Sequence, residues 1–187
     1  VRDAGFTIDG PKYVNTTVMR LFTASESDSL NNNLDFRKAL TLGIDSQSII
    51  DVVYEPEVAE IAAGSALFSP LSDGYDPELP PYPYDPVAAS ESLIAAGYDG
   101  ETVIIFSAPS YGLTELIQIN EMIAENLRDI GMNVEIRSAG YTEILARHSP
   151  RPQQFEDVAP APLFHGVNYQ TWPDILGGIK RYLTSDL

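Results

Sequence analysis

Apolar residues recur at helical spacing through residues 113–130, while charged residues occupy the positions between them. This spacing predicts one amphipathic helix, whose inward positions are Leu113, Leu116/Ile117, Ile123/Ala124, Leu127 and Ile130. Gly131 follows the last periodic position and predicts the end of the helix. Alternation then takes over through Met132, Val134 and Ile136, which is typical of a strand.

A short apolar run at residues 102–106 precedes this helix and predicts a strand buried on both faces. Strand, helix and strand in this order form a βαβ unit, for which a right-handed crossover is expected. The unit is the framework around which we expect the rest of the chain to be organised.

Two further helical regions come before the βαβ unit. Residues 35–54 predict a helix in two pieces, with Asp45 as the N-cap of the second piece. Asp85-Pro86 predicts the start of another helix, which Gly97 ends. After the unit, residues 141–148 and 171–183 also have helical spacing.

Strands are predicted at residues 13–23, which are rich in β-branched and aromatic side chains, and at residues 162–167. Residues 68–84 are rich in proline and tyrosine and predict an extended connection. We expect this connection to be ordered, with its aromatic rings covered; a domain linker is the alternative. The elements together predict a single α/β domain over residues 1–187, with a mixed sheet and flanking helices.

Composition excludes several classes of function. The chain has 11 Lys and Arg against 27 Asp and Glu, a net charge of −16, which argues against nucleic acids and anionic membrane surfaces as partners. We attribute the charge mainly to solubility; recruitment of a cationic ligand is the alternative. The absence of cysteine excludes thiolate metal sites, thiol catalysis and disulfides. Because the chain opens at Val1, we expect it to be a processed or excised piece.

Motifs for chemistry are weak. His148 and His165 do not have metal-binding spacing, and nucleotide-binding glycine motifs are absent, so neither a metal nor a cofactor is predicted. Ser107 and Ser110 lack the frame of a hydrolase nucleophile.

Residues 165–174 are the best candidate for a binding site. They gather the only tryptophan, a tyrosine, two amides and a carboxylate beyond a predicted strand end. Ligands of open α/β sheets collect at such ends, and aromatic walls with a few directional polar groups suit small molecules. The candidates are Asn168, Tyr169, Trp172 and Asp174. The alternative is that Trp172 packs in the core and the other residues form an ordinary loop.

Three segments in order resemble family 5 extracytoplasmic solute-binding proteins, the peptide, nickel and oligosaccharide receptors of ABC importers. Residues 36–53 resemble the family's RxAlxxAiD helix. Residues 84–98, which begin Tyr-Asp-Pro and end Ala-Ala-Gly-Tyr, resemble a second signature of the family. Residues 127–136 resemble its LxxiGixvei segment.

The resemblance implies a periplasmic-binding-protein-like lobe of type II, namely the second of two lobes that close over a ligand. The first lobe would then be missing from this chain, and both chain ends would lie close together on the side that faces it. Peptide or small-molecule ligands and a membrane permease are the implied partners. The implied location is periplasmic or extracytoplasmic, with lipoprotein anchoring in full-length relatives.

Two departures from the family bear on the site. Thr23 stands where the family often ends a strand in Phe-Asn, so Thr23 joins the candidate ligand-binding residues. The tryptophan comes later than in relatives, and only Asp174 is acidic near it, so the family's recognition of a peptide amine by an aspartate is not carried over.

Two other functional hypotheses remain open at this point. One is a hydrolase-like enzyme domain that uses Asp174 and His165. The other is a lobe adapted to protein interaction or regulation. Peptides, sugars, opines and metal chelates all remain open as ligands, since relatives change ligand through the same few loops.

Overall fold

The computed structural model describes residues 15–21, 30–55, 58–61, 76–107, 114–140 and 163–170. In chain order these form β1 (Asn15–Leu21), a 3-10 turn (Leu30–Asn32), α1 (Leu34–Gly43), α2 (Ser46–Val53), α3 (Pro86–Ala95), β2 (Thr102–Ser107), α4 (Leu116–Asp129), β3 (Asn133–Ser138) and β4 (Leu163–Gln170). In this part of the chain, no helix has the length and apolar character needed to cross a membrane.

The four strands form one sheet in the order β1-β4-β2-β3. β2 is parallel to both β3 and β4, whereas β1 is antiparallel to β4. The predicted mixed sheet is therefore confirmed, and so is the βαβ unit, because the parallel strands β2 and β3 are joined through α4.

Helix α4 packs its apolar side against the sheet, as its spacing predicts. Leu127 is fully buried, and Ile123 and Ala124 lie beside it in the core. The helix begins at Leu116, three residues later than predicted, and Ile117 is 45% exposed, so its predicted inward position is wrong. Gly131 adopts φ +100°, a conformation that favours glycine, and the chain turns there into β3.

The first helical region is divided as predicted. The Asp45 side chain accepts a hydrogen bond from Ser48 N at 3.0 Å and caps α2. The backbone N–H of Asp45 donates to Asn126 Oδ1 at 3.0 Å, which ties this junction to α4. Asn33 caps α1 by accepting from two backbone N–H groups of its first turn.

Helix α3 runs antiparallel to α1. Asp85 caps its start and also donates its backbone N–H to Leu42 O at 2.9 Å, near the end of α1. At the other end, Asn33 Nδ2 donates to Ala96 O at 3.2 Å. The Asp85-Pro86 helix start is thus confirmed, and the two helices are fixed to each other at both ends.

The helices cover one face of the sheet. Val103 and Ile105 of β2 belong to the core that they form with α1, α3 and α4. Ile104 and Phe106 point to the other face and are also buried, at 3% exposure each. β2 is therefore buried on both faces, as its apolar run predicts.

The prediction that the aromatic rings of the proline-rich connection are covered is wrong for two tyrosines. Tyr82 is 66% exposed and Tyr84 45% exposed, because the extended stretch before α3 runs along the surface. Phe68 and Tyr75 lie outside the described residues, as do the helices predicted at residues 141–148 and 171–183.

Candidate functional site

The carboxyl ends of the parallel strands β2 and β3 meet at one edge of the sheet. Ser107 ends β2 opposite Ser138 of β3, and Ala139 N donates to Ser107 O at 3.1 Å. β4 runs on past this edge: it is aligned with β2 only as far as His165, which pairs with Phe106. We call this side of the sheet the carboxyl edge.

Beyond the carboxyl edge, β4 is paired with β1 among the described strands. The pairing runs from Val18 opposite Val167 to Asn15 opposite Gln170. At about 3.3 Å per residue, this two-stranded ribbon projects roughly 13 Å past the level of Ser107. We call residues 15–18 and 167–170 the ribbon. It extends past the ends of β2 and β3, the two strands of the βαβ unit.

Two of the five predicted ligand-binding residues lie in the ribbon. Asn168 is opposite Thr17, and Tyr169 is opposite Thr16. The prediction of a strand that stops at residue 167 is therefore wrong, because β4 continues to Gln170 and holds both residues in the strand. Successive strand residues occupy opposite faces, so Asn168 and Tyr169 do not belong to one wall.

The register assigns a face to each of these two residues. Ile105 pairs with Phe164, so alternate β4 positions from 164 to 168 share the face of Ile105 and of α4. Asn168 is therefore on the helix-covered face, two residues past the level of Ser107, and Tyr169 is on the other face.

The remaining candidates lie outside the described residues: Thr23, Trp172 and Asp174. β1 ends at Leu21, opposite Phe164, so the chain leaves β1 at the end remote from Asn168. Asn168 and Tyr169 therefore lie together near the end of β4. The chain leaves β1, on its way to Thr23, at the opposite end of the β1–β4 pairing.

A buried polar pair at the carboxyl edge was missed by the sequence interpretation. Asn120 of α4 is 1% exposed and Ser107 is 6% exposed, and Asn120 Nδ2 donates to Ser107 Oγ at 3.1 Å. The signal is in the sequence: the inward spacing from Leu116 to Ile123 passes through Asn120, where an apolar residue is expected.

The contact between Asn120 and Ser107 is a hydrogen bond and not a pairing of a nucleophile with a base. An amide nitrogen donates to the Ser107 hydroxyl and takes no proton from it, so this contact does not activate the hydroxyl as a nucleophile. In the part of the chain that the structure describes, no cluster of three or more potential ligands for a metal ion is formed.

Among the described residues, two titratable groups have shifted pKa values, and neither lies at the carboxyl edge of β2. Partial burial raises the pKa of Tyr98, whose hydroxyl accepts from Asn133 N at 2.8 Å at the start of β3. The hydrogen bond from Arg137 lowers the pKa of Glu135, an exposed residue of β3. His165 lies within the sheet, paired with Arg20 and Phe106, and His148 is outside the described residues.

Residues 2–174 match the family described as bacterial extracellular solute-binding proteins, family 5 Middle. The match covers most of the chain, and the chain belongs to this family. A curated relative, heme-binding protein A of Haemophilus influenzae, is 36% identical over 70 residues, which is 36% of this chain and 12% of the relative.

Solved structures share the fold. The periplasmic binding protein DppA from Helicobacter pylori, in complex with the peptide STSA, has a TM-score of 0.67 at 22% identity, over 89% of this chain and 29% of that one. The substrate-binding protein CtaP from Listeria monocytogenes has a TM-score of 0.71 at 13% identity, over 92% of this chain and 33% of that one. The chain therefore spans about a third or less of the length of these relatives, and the predicted periplasmic-binding-protein-like fold class is confirmed.

Proposed function

We propose that this chain is the second lobe of a solute receptor that serves an ABC importer and binds its ligand between two lobes without chemistry. Family membership supports the receptor role, since the family is one of extracellular solute-binding proteins. Peptides or related small solutes are the proposed ligands, a membrane permease the proposed partner, and the extracytoplasmic space the proposed location. Anchoring of the full-length protein as a lipoprotein is part of the same proposal.

The ribbon is the observation that most supports the proposal that this chain forms one lobe of a two-lobe receptor. Asn15, where β1 begins, is directly opposite Gln170, where β4 ends. The chain thus enters and leaves the described sheet at neighbouring points, beyond the edge at which α/β sheets bind ligands. Two neighbouring chain connections between lobes can serve as a hinge about which one lobe rotates against the other. This arrangement supports the expectation that the two ends of the described sheet, at Asn15 and Gln170, face a first lobe.

Ligand binding tests the receptor role. The full-length receptor is titrated by calorimetry with three probes: the peptide Ser-Thr-Ser-Ala, hemin and the nickel complex Ni(L-His)2. These follow the ligands named for the Helicobacter pylori relative, the Haemophilus influenzae relative and a NikA structure from Staphylococcus aureus. We expect one probe class to bind with a dissociation constant of about 10 μM or tighter, which corresponds to roughly 7 kcal/mol.

The isolated 187-residue chain serves as the matched control, because it contains one wall of the proposed cleft. We expect it to bind the same probe at least about 100-fold more weakly, since the contacts from the other lobe are lost. Equal affinity of the isolated chain would contradict the two-lobe site. Turnover of the probe would favour the enzyme alternative instead.

A disulfide scan tests the ribbon. Opposed residues in an antiparallel pair have Cα atoms about 4.5–5.5 Å apart, which is within the range for a disulfide. The chain has no cysteine, so the background is clean. Asn15→Cys with Gln170→Cys should oxidise readily, whereas Asn15→Cys with Asn168→Cys, two residues out of register, should not. Preferential cross-linking of the second pair would show a different register and remove the support that the ribbon gives.

A further inference from the structure

The inward side of α4 contains one polar residue among apolar ones. Asn120 lies between Leu116, Ile119 and Ile123 on this side, and it is 1% exposed. Its Nδ2 donates to Ser107 Oγ at 3.1 Å. Its Oδ1 is enclosed and, within the described part of the chain, has no hydrogen-bond partner.

A buried acceptor of this kind makes the ligand-free fold less stable. The carbonyl oxygen has given up its water without receiving a donor in exchange. An apolar residue at position 120 would complete the apolar stripe and leave no such deficit. Departures of this type from the packing rules concentrate where a protein gives up stability for function.

The position of the pair relates it to the candidate site. Ser107 is the last residue of β2, and on the neighbouring strand Asn168 lies two residues beyond its level. Ser107 and Asn168 belong to the same face of the sheet, the face on which α4 packs. Asn120 therefore lies next to the sheet edge at which the proposed ligand would bind.

We propose that Asn120 is a specificity-determining residue of the receptor, whose Oδ1 accepts a hydrogen bond that the loaded state supplies. The donor is an N–H or O–H group, either of the solute itself or of a water molecule that the solute encloses. Ser107 fixes the amide by accepting from its nitrogen, so that the oxygen is the end left for this donor. The inference rests on the proposed receptor function and adds the chemistry of one contact to it.

Thermal unfolding of the ligand-free, full-length receptor gives the first test. The double variant Asn120→Leu with Ser107→Ala replaces both partners by apolar groups, and we expect its Tm to rise by about 2–4 °C. Asn126→Leu is the matched control on the same helix: Asn126 Oδ1 already accepts from Asp45 N at 3.0 Å, so its Tm should fall. A fall in the double variant as large as in the control would mean that the fold already satisfies Asn120, which would overturn the proposal.

Affinity gives the second test, and it uses Asn120→Ala, a smaller residue that cannot clash. The probe is whichever of Ser-Thr-Ser-Ala, hemin and Ni(L-His)2 the wild-type receptor binds. We expect the dissociation constant to rise at least about tenfold for Asn120→Ala and to stay within about twofold for Asn126→Ala. Unchanged affinity in Asn120→Ala, with wild-type binding intact, would overturn this inference alone. Absence of wild-type binding to all three probes would instead count against the proposed function, and this inference would fall with it.

A crystal structure of the loaded receptor separates the two sources of the donor. A solute nitrogen or oxygen within about 3.2 Å of Asn120 Oδ1 identifies a direct contact, and a water at that distance identifies a mediated one. An Oδ1 that instead accepts from a residue of the receptor itself, in both the loaded and the empty states, would refute the proposal.

Discussion

Replacing Leu127 by alanine tests whether α4 is the framework of the fold. Leu127 is fully buried in the core that α4 shares with the sheet and the other helices. The substitution removes about three methylene equivalents, which at roughly 0.8 kcal/mol each amounts to about 2.4 kcal/mol of lost transfer free energy. A residual cavity adds about 1 kcal/mol or more, because a site enclosed on all sides collapses poorly. We therefore expect the free energy of unfolding to fall by about 3–4 kcal/mol.

Ile117 supplies the matched control on the same helix. Its side chain is 45% exposed, so Ile117→Ala removes an aliphatic group that is already in contact with water. We expect a loss of about 1 kcal/mol or less. Both variants are measured by urea unfolding with circular dichroism at 222 nm, and unchanged slopes of the transition identify a loss of native stability.

Two results would refute this view of α4. One is a loss below about 1 kcal/mol for Leu127→Ala, which would mean that the helix is not packed as described. The other is a change in probe affinity in the full-length receptor that persists after the folded fraction is matched. That result would place α4's apolar core side in the ligand site, whereas we assign it to support of the sheet.

The remaining predictions concern hydrogen bonds and charge. Tyr98→Phe should lower the free energy of unfolding by about 1–2 kcal/mol, because Asn133 N loses the acceptor at 2.8 Å and Glu101 O loses the donor. Burial raises the pKa of Tyr98 above its ordinary 10.0, so its stabilising contribution is complete below pH 10 and is lost as pH rises through the folded-state pKa. Denaturation curves between pH 8 and about pH 11 should therefore decline less in Tyr98→Phe than in wild type, and equal declines would contradict the assignment. Asn126→Ala should cost about 1–2 kcal/mol in urea unfolding, because the backbone N–H of Asp45 loses its acceptor at the α1–α2 junction. With a net charge of −16, unfolding free energy should rise when KCl is increased from about 0.05 M to 1 M, since salt shortens the screening length from over 10 Å to about 3 Å; a fall would exclude self-repulsion as the main electrostatic contribution.

Elements that pack against the core were predictable from the sequence. The spacing of α4, the cap at Asp45 and the Asp85-Pro86 start each combine a local signal with burial of an apolar side. The alternation in β3 and the apolar run in β2 likewise report burial, on one face of β3 and on both faces of β2. In these elements, local preference and tertiary packing favour the same structure.

Two features, one beside the candidate site and one remote from it, were beyond such signals. Asn120 interrupts the apolar spacing of α4, and this interruption only becomes informative once Ser107 is seen beside it, 13 residues earlier in the chain. The exposed rings of Tyr82 and Tyr84 also ran against expectation, because the apolar content of an aromatic residue does not determine whether a neighbouring element covers it.

The reason why the sequence misplaces the end of β4 is also a reason to consider that end as a binding site. Residues 168–170 are Asn, Tyr and Gln, which do not alternate with apolar residues, so the sequence predicts a loop there. They remain a strand because β1 supplies backbone partners from Thr17 to Asn15, and the hydrogen bonds of a ladder do not themselves require an apolar face. A strand end without a core to cover is free of the requirement for apolar residues, and its residues can then serve a ligand. The aromatic, amide and carboxylate side chains gathered beyond a predicted strand end remain the reason to propose residues 165–174 as a binding site, and the structure moves the end of that strand from residue 167 to Gln170.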